Sequence, residues 1–167
     1  IMSILIYAES AEGKIKKVAF ELASYAKKVA SSMGTSVTAV TINNADNNAL
    51  AAYGVDKVLN VSNEKLNNFS AKAYADVIVQ AAKKEGAQLI LVSSSTDSLY
   101  LAPLVAVALE AGYASNVVAL PESTSPFQVK RTAFSNKAFN ITEISTPVKV
   151  LGIAKNSFGL VEDAVSM

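Results

Sequence analysis

Glu9 and Glu12 stand three residues apart directly after the first strand-like run, and they are the nearest thing in this chain to a paired-carboxylate acid–base site. Such a pair works only when desolvation drives its two proton affinities apart. The flanking Ser10, Ala11, Gly13 and Lys14 offer no apolar wall, so a solvated loop is expected here rather than a dyad. A second candidate is the run Ser93-Ser94-Ser95-Thr96-Asp97-Ser98. Hydroxyls at the carboxyl end of a central strand lie where α/β sheets bind ligands, and the following helix points its positive end there. Ser94, Ser95 and Thr96 would be the phosphate-contacting members of such a loop. The same residue types are preferred helix caps and turn formers, and that reading carries more weight. Arg131 is the third candidate, the single arginine of the chain. Its guanidinium suits a bidentate hold on a carboxylate, phosphate or carbonyl cluster, which lysine makes poorly; the alternative is an ordinary exposed residue.

Other chemistries are excluded by residue type. The chain contains neither cysteine nor histidine, which removes thiolate nucleophiles, disulfides, Ser-His triads and imidazole metal sites together. No catalytic residue and no metal site is expected. A formal net charge of +1 gives no electrostatic case for nucleic acid or for an anionic membrane. No apolar run reaches the ~18 residues needed to span a bilayer. Met2 reads as an initiator that runs straight into the first strand, with Ile1 extraneous to it, so no signal or transit peptide is expected and a cytoplasmic location fits. Helix ends account for Gly34, Gly54, Gly86 and Gly112, leaving no glycine for a G-x-G-x-x-G or Walker-type loop. Where a dinucleotide fold needs close backbone approach, this chain places two carboxylates that would repel a pyrophosphate.

The elements that must position these residues alternate. Ser3 to Ala8 is a continuous apolar run, as in a strand buried on both faces. A helix from about Lys14 to Met33 follows, with Ile15, Val18, Ala19, Leu22, Ala26, Val29 and Met33 in helical rhythm. Strands at Val37–Ile42, Lys57–Val61 and Gln88–Ser93 are separated by a short helix ending at Gly54 and by a helix that Ser70 caps and Gly86 ends. Pro103 suits the first turn of the next helix, Gly112 its end, and Asn116 to Leu120 a fifth strand. Phe127–Ala133 and Ala138–Ile144 then alternate in period two around Ser135-Asn136-Lys137, which is a hairpin, and Val148–Ala154 is a last apolar strand. Lys155 to Met167 shows no regular element. The expected fold is a three-layer α/β/α domain with a mainly parallel, Rossmann-like sheet plus a carboxyl-terminal β-hairpin.

Several segments, in this order, resemble the amino-terminal domain of the electron-transfer flavoprotein alpha subunit: Ile4 to Glu9, Ala51-Ala52-Tyr53-Gly54-Val55-Asp56-Lys57-Val58, Leu101-Ala102-Pro103-Leu104-Val105-Ala106 and Arg131 to Ala138. The family pattern has arginine at Leu104, Pro-x-Tyr at Thr132-Ala133-Phe134, Gly-Asn at Asn136-Lys137 and an acid at Asn116, so the chain looks like a divergent branch. The resemblance implies an adenine nucleotide alpha-hydrolase-like domain over residues 1–155, with 156–167 a linker or the start of an FAD-binding domain. It implies a heterodimer with a beta subunit that carries AMP. That heterodimer takes electrons from flavin dehydrogenases such as acyl-CoA dehydrogenases and passes them through a quinone oxidoreductase to the respiratory chain. FAD would lie outside these residues, and this chain would be a scaffold within an electron carrier rather than an enzyme. Arg131, Phe134 and Asn136 are then the hairpin residues expected to shape or contact the beta-subunit interface. The competing expectation is a stand-alone nucleotide-binding module of the universal-stress kind using the Ser93–Ser98 loop, although that type would place glycines there and this loop has none.

Overall fold

The computed structural model describes residues 3–167, so the reading of Ile1 and Met2 lies outside the described residues. Eight strands form one twisted sheet: β1 Ser3–Tyr7, β2 Val37–Ile42, β3 Lys57–Val61, β4 Ala87–Ser93, β5 Gly112–Val117, β6 Phe127–Ala133, β7 Ala138–Glu143 and β8 Lys149–Ile153. A two-residue strand, Ser123–Thr124, adds to β6. The spatial order is β7-β6-β5-β8-β4-β1-β2-β3. From β3 to β5 neighbours run parallel, while β5, β6 and β7 pair antiparallel. The three-layer expectation is met, hairpin included. Helix α1, Lys17–Met33, and a 3₁₀ segment, Asn48–Tyr53, cover one face; α2, Ala71–Glu85, and α3, Thr96–Ala108, cover the other. The central strands β1, β2, β4 and β8 are buried on both faces, which explains the apolar runs at residues 4–7, 89–92 and 150–153. Among the described residues no helix is long and apolar enough to cross a membrane.

The chain departs from expectation in three places. Helix α1 begins at Lys17 rather than Lys14, because Ser10–Ala11 and Lys14–Ile15 pair as a small antiparallel ribbon. Glu12 and Gly13 turn that ribbon with φ of 51° and 72°, the left-handed pair a two-residue hairpin needs. Helix α3 begins at Thr96, capped by Ser95, so Pro103 lies in its interior rather than in its first turn. The missing proline N–H faces the Leu99 carbonyl, and both residues are exposed, so water can take the free acceptor. Finally, Gly112 does not end that helix; it opens β5, which precedes the expected Asn116–Leu120. A Cβ there would sit 2.5 Å from Ile144 Cγ2 and 2.9 Å from Thr146 Oγ1, so glycine is needed for close approach. Asn116, at φ 55°, sits in a bulge where Leu151 and Ile153 of β8 pair with Ala114 and Val117.

Candidate functional site: a filled crevice and an open hairpin

From β1 the chain winds to β2 and β3 on one side, then crosses to β4 on the other. The crevice outside the carboxyl ends of β1 and β4 is therefore the switch point at which such sheets bind ligands. Glu9 follows β1 into it, and Ser93 closes β4 beside it. The expected solvated loop is corrected here: Glu9 is only 3% exposed. Its Oε1 accepts hydroxyl hydrogen bonds from Ser93 at 2.5 Å, Ser95 at 2.5 Å and Ser98 at 2.6 Å, and its Oε2 takes the Lys16 ammonium at 3.4 Å. Ser95 Oγ also caps α3 by accepting the Ser98 N–H at 3.1 Å. Burial pushes the Glu9 carboxyl up, but the hydroxyls of Ser93, Ser95 and Ser98 and the Lys16 charge outweigh it and hold the group below its ordinary value. Burial, then the Glu9 charge, raises the phenol of neighbouring Tyr7 far above its ordinary value. Glu12 stays exposed in the ribbon turn, so the two glutamates form no dyad.

Of the candidate loop residues, Ser95 alone joins the cluster. Ser94 Oγ donates to the Ile153 carbonyl of β8 at 2.8 Å, and Thr96 is exposed on the first turn of α3. Ser93 and Ser98, buried at 3% and 0% exposure, complete the cluster instead. Both belong to the Ser93–Ser98 run singled out from the sequence, outside its three expected phosphate-contacting members. These residues do not fit the pyrophosphate of a flavin or other dinucleotide. The anion position at the head of α3 already holds the chain's own carboxylate, and an incoming phosphate would meet that charge and break its hydroxyl bonds.

At the far edge of the sheet, Arg131 Nε donates to the Ser115 carbonyl at 3.0 Å and Nη2 to Ser115 Oγ at 3.1 Å. This fork ties β6 to the bulge in β5, a hold that a lysine ammonium would not reproduce. Arg131 is thus a brace of the hairpin root. Phe134 and Asn136 lie in the turn between β6 and β7, where Phe134, Ser135 and Asn136 take φ of 54°, 54° and 63°. Phe134 is 82% exposed, and on β7 so are Phe139 by 61% and Ile141 by 53%. Phe127 and Val129 turn to the buried side under α1. Phe139 and Ile141, opposite Thr132 and Lys130 in the ladder, share the other side. Helix α3 packs on β8, β4 and β5 and leaves that side uncovered, with Lys130 Nζ 4.6 Å over the Phe139 ring as its visible cover.

Residues 4–165 match the electron transfer flavoprotein domain. An electron transfer flavoprotein subunit alpha from Thermoanaerobacterium thermosaccharolyticum is 34% identical over 70% of this chain and 36% of its own length. The lactate dehydrogenase (NAD(+),ferredoxin) subunit LctC of Acetobacterium woodii is 32% identical over 86% of this chain and 36% of its own length. The Bacillus subtilis electron transfer flavoprotein subunit alpha is 24% identical over 92% of this chain and 48% of its own length. The chain thus spans between about a third and a half of these relatives. A Rossmann-like sheet with an antiparallel hairpin at its edge, matched along nearly its whole length, places this chain in the electron transfer flavoprotein domain family.

Proposed function

We propose that this chain is the amino-terminal scaffold domain of an electron transfer flavoprotein alpha subunit, which docks a beta subunit and fixes the surroundings of an FAD held outside these residues. The observation that carries the docking role is the hairpin. Sheet edges are normally charged, short or covered, yet β7 presents Phe139 and Ile141, and the adjoining turn Phe134, all more than half exposed. Contiguous exposed apolar surface of this kind marks an interaction site. The domain contributes geometry, while the flavin supplies the redox chemistry when bound. The assembled carrier accepts electrons from cytoplasmic flavin dehydrogenases, such as acyl-CoA dehydrogenases, and delivers them through a quinone oxidoreductase to the respiratory chain. The Acetobacterium woodii relative is a lactate dehydrogenase (NAD(+),ferredoxin) subunit, which supports NAD(+) and ferredoxin as alternative redox partners. The filled crevice argues against the stand-alone nucleotide module.

The test is co-purification with the cognate beta subunit. The Phe139→Thr, Ile141→Glu double variant is expected to weaken that association by about 100-fold, the loss typical of central apolar anchors. Retention of full affinity by this variant would remove the hairpin from the interface, and absence of any complex with the wild-type chain would sink the scaffold reading.

A further inference from the structure

Beyond β8 the chain has no helix or strand, yet it is tied along its length to α1 and the 3₁₀ segment. Glu21 lies on the buried side of α1, 8% exposed. Its Oε2 accepts the backbone N–H of Asn156 at 3.2 Å, and its Oε1 accepts those of Phe158 at 3.3 Å and Gly159 at 3.4 Å. Asn156 and Gly159 take φ of 59° and 87°, which curls the chain so that these amides converge on one carboxylate. Further along α1, Ser24 Oγ accepts the Val161 N–H at 3.0 Å and shares its own hydrogen between the carbonyls of Phe20 at 2.9 Å and Val161 at 3.1 Å. The N–H groups of Asp163 and Val165 then reach the carbonyls of Ala52 at 2.9 Å and Ala51 at 3.0 Å. The Phe158 ring stands edge-on to Tyr25, with centroids 5.6 Å apart.

Among the described residues, the ion pairs are Lys16–Glu9 and Lys57–Glu85, and neither involves Glu21. Among the described residues, its side-chain hydrogen bonds are those to the Asn156, Phe158 and Gly159 amides. Lifting the segment would leave a carboxylate without partners on the inner side of a helix, and an unpaired buried charge is strongly unfavourable. Amide-to-carboxylate bonds are also among the stronger protein hydrogen bonds.

We infer that residues 156–165 are a strap belonging to the folded domain, held by Glu21 and Ser24, and that the chain leaves the domain beside Ala51 and Ala52 on the α1 face. This places the domain boundary after Val165 rather than at Lys155. Under the proposed function, a flavin-bearing part that follows would be delivered to the α1 side of the sheet.

Hydrogen exchange on the 167-residue chain tests this. The amides of Phe158, Gly159, Val161, Asp163 and Val165 are expected to exchange at least about tenfold more slowly than in an unstructured peptide. Glu21→Gln keeps the side chain's shape but removes its charge, and should raise exchange at Asn156, Phe158 and Gly159 by about tenfold while β1 and β4 keep their protection. Ser24→Ala should release Val161 selectively, and it serves alone if Glu21→Gln does not fold. Peptide-like exchange of the strap in the wild-type chain would overturn the inference, as would unchanged strap exchange in the folded variants. Neither measurement involves flavin or a beta subunit, so failure here would leave the scaffold reading standing.

Discussion

At the carboxyl ends of β1 and β4, a carboxylate, a ring of serine hydroxyls, a lysine and a helix terminus satisfy one another. At the edge of the same sheet, β6 and β7 leave Phe134, Phe139 and Ile141 facing solvent with little over them. The first region is the place where Rossmann-like sheets ordinarily recognise something, and here its buried carboxylate and serine hydroxyls are engaged with one another. The second is a place that stable domains ordinarily protect, and here it is open. The difference teaches that fold and recognition are separable. A crevice can be converted into core by one internal anion, and the binding role can pass to an edge strand.

The sharpest way to break this comparison is to remove the internal anion. Glu9→Ala leaves the Ser93, Ser95 and Ser98 hydroxyls without their shared acceptor in a buried space, and we expect a loss of about 2–4 kcal/mol of stability. Glu9→Gln keeps one acceptor oxygen for the hydroxyls but turns an amide towards Lys16, so its loss should be smaller. Chemical denaturation of the three proteins measures both. A change below about 0.5 kcal/mol for Glu9→Ala would mean that the cluster is ornamental, and the crevice would again be a place to look for a ligand.

Acidity sharpens the same point. The folded Glu9 carboxyl titrates below its ordinary value of 4.5, so its contribution to stability is complete above that value. The contribution is lost as pH falls through the lower folded value, below which the carboxyl is protonated in the folded and unfolded states alike. The stability advantage of wild type over Glu9→Gln should therefore be constant near neutrality and shrink as the pH falls below the ordinary value of 4.5. An advantage that persists undiminished at the acid end would show that folding does not lower the proton affinity of this carboxyl.

Much of this was readable from local pattern, and the misses share a cause. The period-two alternation of Phe127–Ala133 and Ala138–Ile144 announced the hairpin, and apolar runs announced β1 and β8. Helix α3 hid its start because apolar residues run all round it from Leu99 to Val107, giving no periodicity, and because Pro103 looked like a first-turn residue. The burial of Glu9 was invisible because its sequence neighbours are polar; the walls that bury it come from residues 84 to 89 positions away. The partners of Glu21 are more remote still, 135 to 138 positions on. Arg131 carried a true signal in being the single arginine, but only the fold shows that its fork closes on Ser115 within the chain.

The smallest expected effect separates the two regions most cleanly. In the Phe139→Thr, Ile141→Glu variant both replaced side chains are more than half exposed, so little apolar burial is lost. Threonine suits an edge strand, and a glutamate at position 141 stands directly across from Lys130 in the ladder, where an opposite-charge pair offsets the lost contact of that lysine with the Phe139 ring. The chain's own stability should therefore shift by less than about 1 kcal/mol, even though the variant is the one expected to lose its partner. Thermal denaturation of the isolated chain decides it. A shift as large as that of Glu9→Ala would mean that these side chains hold the domain together, and their exposure could then no longer be read as a surface reserved for another subunit.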